Sequence, residues 1–436
     1  MASSAADDLA RLRSLVSPYT GVARVAGELM HGPDDARVVT VSCLLADGEP
    51  TVGHRVVDHA GSSATDADAA LAAALGEAAE RYAAAFVPES RLVRDSASRL
   101  GPAAVRPERF ALCHERQYAQ PGFPLVPLRS DTELAWVDGI SLPGGDPVLL
   151  PGQLVFLEAP AGDPRVAVPT SNGLACARTF DAAVLAGLLE VVERDAFMLV
   201  WSNRLSLPLL DWRGDAGLVA LDDRYFAAAG LGYAAVDCSC FLDVPVALGV
   251  VHGPPDEHGA LGVGAGAAPT VGEAWWKALS EAFAVRRWAR DSGFEHALDG
   301  PVSEWEIQSF EQHVLWWADP ERASRAAFLD ASRERRPVAA VDRLEGDDAW
   351  SRVEAICRRL ELRGLYAYAV DVTAPDIREA GLWVARAVVP ELCGLDVVHG
   401  IRYLGGRRLY DAPVAAGLLD RPLDLSELNP DPHPFP

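Results

Sequence analysis

Residues 171–201 read SNGLACARTFDAAVLAGLLEVVERDAFMLVW, and the reading of this stretch decides the fold. From Phe180 onward no Pro or turn signal interrupts the chain, and Asp181 stands in the first turn, where the helix dipole favours negative charge. A helix through Trp201 is predicted. Val184, Leu185, Leu188, Leu189, Val191, Val192, Phe197, Met198 and Leu199 cover nearly every face of it. A helix apolar all round belongs in a core. Yet its middle carries Glu190, Glu193 and Arg194. The spacing of three puts both carboxylates on one face. Buried there, they stay ionised only if a cation or a hydrogen-bond network compensates them.

The pattern recurs upstream. Residues 69–86, AALAAALGEAAERYAAAF, form another Ala- and Leu-rich helix with Glu77, Glu80 and Arg81 in its middle. One E-x-x-E-R is most simply a solvated face with weak intrahelical pairs. Two copies, each inside an apolar helix, make a shared acidic site an equal reading. A third long helix is predicted over 271–291. It carries Lys277, Ser280, Glu281, Arg286 and Arg287, and the Lys277–Glu281 spacing reads as a surface pair. Before it, GVGAG at 262–266 reads as a tight turn, since it matches neither the dinucleotide fingerprint nor the phosphate loop. Arg402, Arg407 and Arg408 lie in HGIRYLGGRRLY. Arg beside glycines suits phosphate, although a plain surface cluster is the commoner meaning.

The remaining chain mixes strands and helices. Strands are predicted over 38–45, 134–140, 147–157, 208–211, 233–237, 244–251, 366–371 and 382–389. No composition shift marks a linker, so one domain of mixed α/β (α+β) class is expected. The chain has 436 residues, 50% of them hydrophobic, which is ample for a core. A net charge of −23 excludes phosphate-backbone binding over a broad surface and docking on an anionic membrane. No nucleic-acid or membrane partner is expected. Seven scattered cysteines without C-x-x-C read as thiols in a reducing cytoplasm, with Cys238 and Cys240 on one face of a strand. The histidines show no zinc spacing, and no G-x-S-x-G elbow is present.

In combination and in order, LGEAAERY at 75–82, WVDGISL at 136–142, LPGQLVFL at 150–157, the central stretch, KALSEAF at 277–283, DVTAPDIREAGLWVARAVVPEL at 371–392 and the closing NPDPHPFP resemble the YcaO family. The resemblance covers residues 19–436. It implies a single YcaO-type domain over 17–428, with several sheet regions and long buried helices lining an ATP site. An N-terminal extension (1–16) precedes the domain, and a Pro-rich tail (429–436) is expected to reach the active site. It also implies an ATP- and Mg2+-dependent, azoline-forming cyclodehydratase acting on Cys, Ser or Thr of a ribosomal precursor peptide. A ubiquitin-activating-enzyme-like protein is the implied leader-binding partner. A homodimer is compatible with the resemblance. A strongly acidic chain would repel the acidic leaders common in this chemistry, which fits such a division of labour.

Carried over residue by residue, the resemblance assigns Glu77, Glu80, Glu190 and Glu193 to Mg2+. It assigns Arg81, Ser171, Asn172, Arg194, Glu281 and Arg402 to ATP. The carboxylate of Pro436 becomes the group that orients or deprotonates the nucleophile. His433, with an unperturbed pKa of about 6.5, is a lesser candidate for carrying a proton. Four converging carboxylates fit a hard divalent ion that also takes phosphate oxygen. Ala73, Arg178, Ala182 and Ala284 stand where the family often has Ser, Asn, Glu and Gln. A catalytically degenerate scaffold is therefore one alternative, and a thioamide- or amidine-forming enzyme another. The Pro-rich end argues against the latter.

Overall fold

The computed structural model describes residues 5–47, 59–254, 257–295 and 303–435. Its strands are β1 (Ala23–Glu28), β2 (Val39–Leu45), β3 (His59–Ala64), β4 (Leu92–Ser96), β5 (Glu133–Ser141), β6 (Pro147–Pro151), β7 (Leu174–Ala177), β8 (Leu209–Asp211), β9 (Gly232–Asp237), β10 (Val246–His252), β11 (Leu261–Ala267), β12 (Arg335–Pro337), β13 (Tyr368–Asp371) and β14 (Trp383–Val388). Its longer helices are α1 (Ala5–Arg13), α2 (Ala67–Ala85), α3 (Phe180–Ser202), α4 (Ala216–Tyr225), α5 (Val271–Glu295), α6 (Phe310–Trp317), α7 (Ala349–Glu361) and α8 (Arg408–Ala415).

Three sheets share these strands. The first runs β1-β2-β3, the second β11-β10-β9-β8-β12, and the third β4-β5-β13-β14-β7 with β6 on β5. The expected mixed α/β class is what the chain adopts. β3, β7 and β11 are each an edge of their sheet. An edge strand presents unpaired backbone groups that something must satisfy, and this sets up the site described below.

The two E-x-x-E-R helices lie between sheets. Asp66 caps α2 by accepting from the Ala69 N–H at 2.9 Å. Along α2 the small side chains of Ala70, Ala74, Ala78, Ala79, Ala83 and Ala84 are all buried. They let α2 pack closely against the first sheet on one side and against β7 on the other. Thr179 caps α3 through the Ala182 N–H at 3.2 Å. α3 is buried along most of its length, packed on β7 and β14 to one side and on β10 and β11 to the other. Apolarity on every face of α3 thus has its cause in the two sheets that enclose it.

The GVGAG stretch departs from the sequence reading. It is the core of strand β11, paired with β10 from Val246↔Ala267 to His252↔Leu261, and not a turn. Its glycines fall at alternate positions, and so on one face. A Cβ on Gly262, Gly264 or Gly266 would lie 2.3 to 2.4 Å from backbone atoms of α5. The bare face lets α5 sink onto the strand. Substituting Gly266→Val would favour the strand locally but wedge the helix away, destabilising the fold by about 3 kcal/mol. Chemical denaturation would show this as a lower midpoint with an unchanged slope.

Two smaller readings also change. Cys238 is buried while Cys240 is exposed, because a 3-10 turn (Ser239–Phe241) ends the strand alternation after β9. All seven cysteines are free thiols. Residues 152–157 leave the strand predicted over 147–157, turning at Gly152–Leu154. Among the described residues no helix is long and apolar enough to cross a membrane.

Candidate functional site

The three edge strands point backbone N–H groups at the acidic helices, and glutamates receive them. On α2, Glu77 accepts from Gly61 of β3 at 2.9 Å, and Glu80 accepts from Cys176 of β7 at 2.7 Å. On α3, Glu193 accepts from Ala267 of β11 at 2.9 Å. Glu190 takes a backbone hydrogen bond from Gly173, whose φ of +83° turns the chain just before β7. On α5, Glu281 accepts from Ala265 of β11 at 2.7 Å. The glycine face of β11 is what brings α5 close enough for this last contact. Lys277, expected to pair with Glu281, instead reaches the Ala267 carbonyl at 3.3 Å.

Arg194 stands among these acids. Its Nε lies 3.6 Å from Glu193 and 3.9 Å from Glu190, and the charges of Glu281 and Glu77 also act on it. Burial is the main reason that Glu190 and Glu281 hold their protons up to about 7. Glu193 adds to the shift in both, and Arg194 opposes it. Burial, then Glu190, then Glu77 push Glu80 well above the usual carboxylate range. Arg81 is taken by Glu77, with Nε to Oε1 at 3.1 Å. Five carboxylates therefore share one neighbourhood with too little positive charge to keep all of them ionised. Among the described residues no three His, Cys, Asp or Glu side chains are set to hold an ion together, since each glutamate is turned toward a backbone N–H or an arginine.

Beside the acids lies a cavity of about 110 Å3, lined by Thr170, Asn172, Gln153, Tyr403, Arg194 and Arg386 among others. The Nε and Nη1 of Arg194 and the Nε of Arg386 are buried without a hydrogen-bond partner. Buried donors are ordinarily satisfied, so orphaned guanidinium groups at one cavity call for an acceptor of their own. Arg386 is missing from the sequence-based candidates. It sits inside β14, donates to the Thr170 carbonyl at 2.6 Å and feels the charge of Glu190. Burial lowers its pKa to about 10. An Arg in the middle of the apolar run LWVARAVV signals a buried charge that needs a partner, though not where it points.

The other sequence-derived candidates divide. Asn172 lines the cavity, and Ser171 forms the turn whose carbonyl accepts from Leu174 at 2.9 Å. Arg402 is not brought to the glutamates. Its Nη1 donates to the Asn429 carbonyl at 2.7 Å, and its nearest acid is Asp396 at 4.0 Å. The chain between Arg402 and the cavity turns so that Tyr403 faces the cavity, and Arg402 faces the C-terminal segment instead. Arg407 is exposed, and Arg408 forms a buried bidentate pair with Asp195. Pro436 lies outside the described residues. Phe435 is fully buried, and the Arg194 guanidinium lies 4.2 Å over its ring. His433 has both ring nitrogens engaged, with the Asp396 carbonyl at 2.8 Å and the Phe435 N–H at 3.3 Å. Burial pushes its pKa well down, and with both nitrogens engaged the ring braces the segment.

A family model described as YcaO cyclodehydratase, ATP- and Mg2+-binding, matches residues 60–393. Among solved structures, the chain is similar to a heterocyclase in complex with substrate and cofactor, with a TM-score of 0.81 and 24% identity over 99% of this chain and 57% of that one. It is similar to the heterocyclase TruD, with a TM-score of 0.67 and 26% identity over 84% of this chain and 50% of TruD. It also resembles YcaO from Methanopyrus kandleri bound with AMPPCP and Mg2+, with a TM-score of 0.61 and 20% identity over 89% of this chain and 91% of that one. The chain thus spans only about half the length of the two heterocyclases it matches.

Proposed function

The chain belongs to the YcaO family, and on that premise we propose that it is an ATP- and Mg2+-dependent heterocyclase that forms azolines in a ribosomal precursor peptide. The observation that carries this reading is the meeting of five glutamates from three helices beside two arginines with orphaned N–H groups. Hard carboxylate oxygens suit Mg2+, which binds through one or two carboxylates plus phosphate oxygens. Planar guanidinium forks suit phosphate. Oxygens from among Glu77, Glu80, Glu190, Glu193 and Glu281, turning from their present backbone or arginine partners, would hold the metal, and Arg194 and Arg386 would hold the phosphates. The metal would supply charge neutralisation at the transferring phosphoryl group.

In the proposed reaction a Cys, Ser or Thr side chain of the peptide attacks the preceding amide carbonyl carbon, closing a five-membered ring. The nucleophile gives up its S–H or O–H proton, and the former carbonyl oxygen then attacks the γ-phosphorus of ATP, breaking its bond to the bridging oxygen and releasing ADP. Phosphate departs carrying that oxygen, and loss of the ring nitrogen's proton completes the C=N bond. Each ring consumes one ATP and removes one oxygen and two hydrogens from the peptide. An acidic chain, with a net charge of −23, suits a separate protein for holding an acidic leader. The test is incubation of the protein, with and without such a partner, with Mg2+, ATP and a Cys/Ser/Thr-rich precursor. One water lost per ring by mass spectrometry, matched by released phosphate, is the expected result.

One observation favours a second reading, a scaffold without turnover. Four of the five glutamates already satisfy an edge-strand N–H, and Glu190 serves Gly173 just before β7, duties that would retain these residues even in a protein that binds no nucleotide. The two readings separate in a thermal melt. For the heterocyclase, a non-hydrolysable ATP analogue with Mg2+ at about a hundred times Kd stabilises the native state by about 2.7 kcal/mol. EDTA removes the effect. An unchanged Tm in the presence of both would favour the scaffold.

A further inference from the structure

Residues 429–435 read NPDPHPF. Pro at every second position removes backbone donors, so the segment offers its surroundings mainly carbonyl oxygens. Those carbonyls are met one after another by side chains. Arg402 Nη1 donates to Asn429 O at 2.7 Å. The His399 ring meets the backbone of Pro430, which has only a carbonyl to offer. Trp201 Nε1 donates to Asp431 O at 3.1 Å and Trp317 Nε1 to Pro432 O at 2.9 Å; the His313 ring lies with Nδ1 2.9 Å from His433 O and Nε2 3.2 Å from Val397 O, and its Nδ1–H tautomer donates to the nearer, His433 O. Trp317 and His313 stand four apart on α6, hence on one face. Trp201 stands in the last turn of α3, the helix that carries Glu190, Glu193 and Arg194.

A hydrophobic anchor alone would hold such a segment without defining its register, because apolar burial is non-directional. Donors at set positions do define it. A slip of one residue would set proline rings where His433 and Phe435 now stack, and would leave buried carbonyls facing the wrong groups. At the far end of this ladder Phe435 packs 4.8 Å from Phe197 and beneath Arg194.

We propose that Trp201, Trp317 and His313 are positioning residues for heterocyclisation: they act through the carbonyls of residues 431–433 to fix the register in which Phe435 supports Arg194. The proposal rests on the heterocyclase reading above and adds to it a set of residues that touch neither nucleotide nor metal. Trp317→Phe keeps an aromatic ring of smaller size in the slot and deletes the donor. His313→Leu deletes a donor, while His313→Asn retains one near the position of Nδ1.

The test measures hydrogen exchange of the 431, 433 and 435 amides alongside kcat and the KM for ATP in the full-length variants. Trp317→Phe and His313→Leu are expected to speed exchange in this segment while β10 and β11 stay protected. Each should lower kcat about ten-fold, as the loss of one such bond implies, with the KM for ATP unchanged. His313→Asn should restore both readouts. Segment exchange unchanged in both donor-less variants overturns the ladder. Faster exchange with an undiminished kcat overturns its role in the reaction. Absence of ring formation by the wild-type protein would instead sink the heterocyclase reading, and the exchange arm would still judge the ladder by itself.

Discussion

Glu190→Gln is expected to abolish ATP-dependent ring formation while leaving the fold intact. The amide keeps the size of the side chain, and its oxygen can still accept from Gly173, the backbone contact that Glu190 makes now. It cannot supply the negative charge that a divalent ion requires, and it removes one of the acids acting on Arg194. Charge stabilisation by a bound metal is worth several kcal/mol, so turnover should fall on the order of 1,000-fold. Ligand-free stability should not drop, because burial already opposes ionisation of this carboxyl group and holds its proton up to about 7. Phosphate release and circular dichroism on the same preparation check both halves. Retention of more than a tenth of the wild-type turnover would remove Glu190 from the metal site.

Deletion of residues 432–436 is expected to damage stability and activity together. From the sequence, a tail docked at the active site suggests that its loss would sharply lower ring formation and change folding little; the burial of this segment gives a different expectation for folding. Phe435 is fully buried against Phe197, and Pro432, His433 and Pro434 are buried too. Removing a buried Phe side chain costs about 3–5 kcal/mol, a large part of a typical stability of about 5–15 kcal/mol. The deletion also leaves the Nε1 of Trp317 and the ring of His313 buried beside a vacated slot. A large fall in Tm should accompany the loss of ring formation. Phe435→Leu separates the two effects, since it keeps most of the apolar volume but removes the ring beneath Arg194. Its Tm should fall far less than that of the deletion, while turnover still drops several-fold. A deletion variant that melts with the wild type would show that the segment is not part of the core.

Legibility from sequence followed the range of the interaction involved. α2 and α3 were readable to within two residues because their caps and uninterrupted apolar content are local properties. The acidic pairs were readable because a spacing of three on a helix has one geometric meaning. β11 is not legible locally because glycine is depleted in strands, and what makes GVGAG a strand is the helix lying on its bare face. Arg402 and Arg386 show the same limit from the other side. Both are arginines in glycine- or apolar-rich surroundings, and nothing local says which one faces the cavity. The pairing of β14 with β7, from Trp383↔Ala177 to Arg386↔Leu174, puts Arg386 there, while Arg402 is drawn to the carbonyl of Asn429.

By itself, then, the sequence determined that this chain has two buried acidic helices, a core large enough to enclose them and an acid balance unsuited to nucleic acid. Composition, period and capping act over a few residues, so they survive in a one-dimensional reading. Only the tertiary structure decided which backbone groups the glutamates serve, which arginine joins Arg194 at the cavity, and that the Pro-alternating end is core and not a loose tail. Those outcomes depend on edge strands of three separate sheets and on donors from residues as far apart as Trp201 and Arg402. The partner of a buried polar group is chosen by whichever unsatisfied group packing brings within about 3 Å, and that choice is made only when the chain has closed.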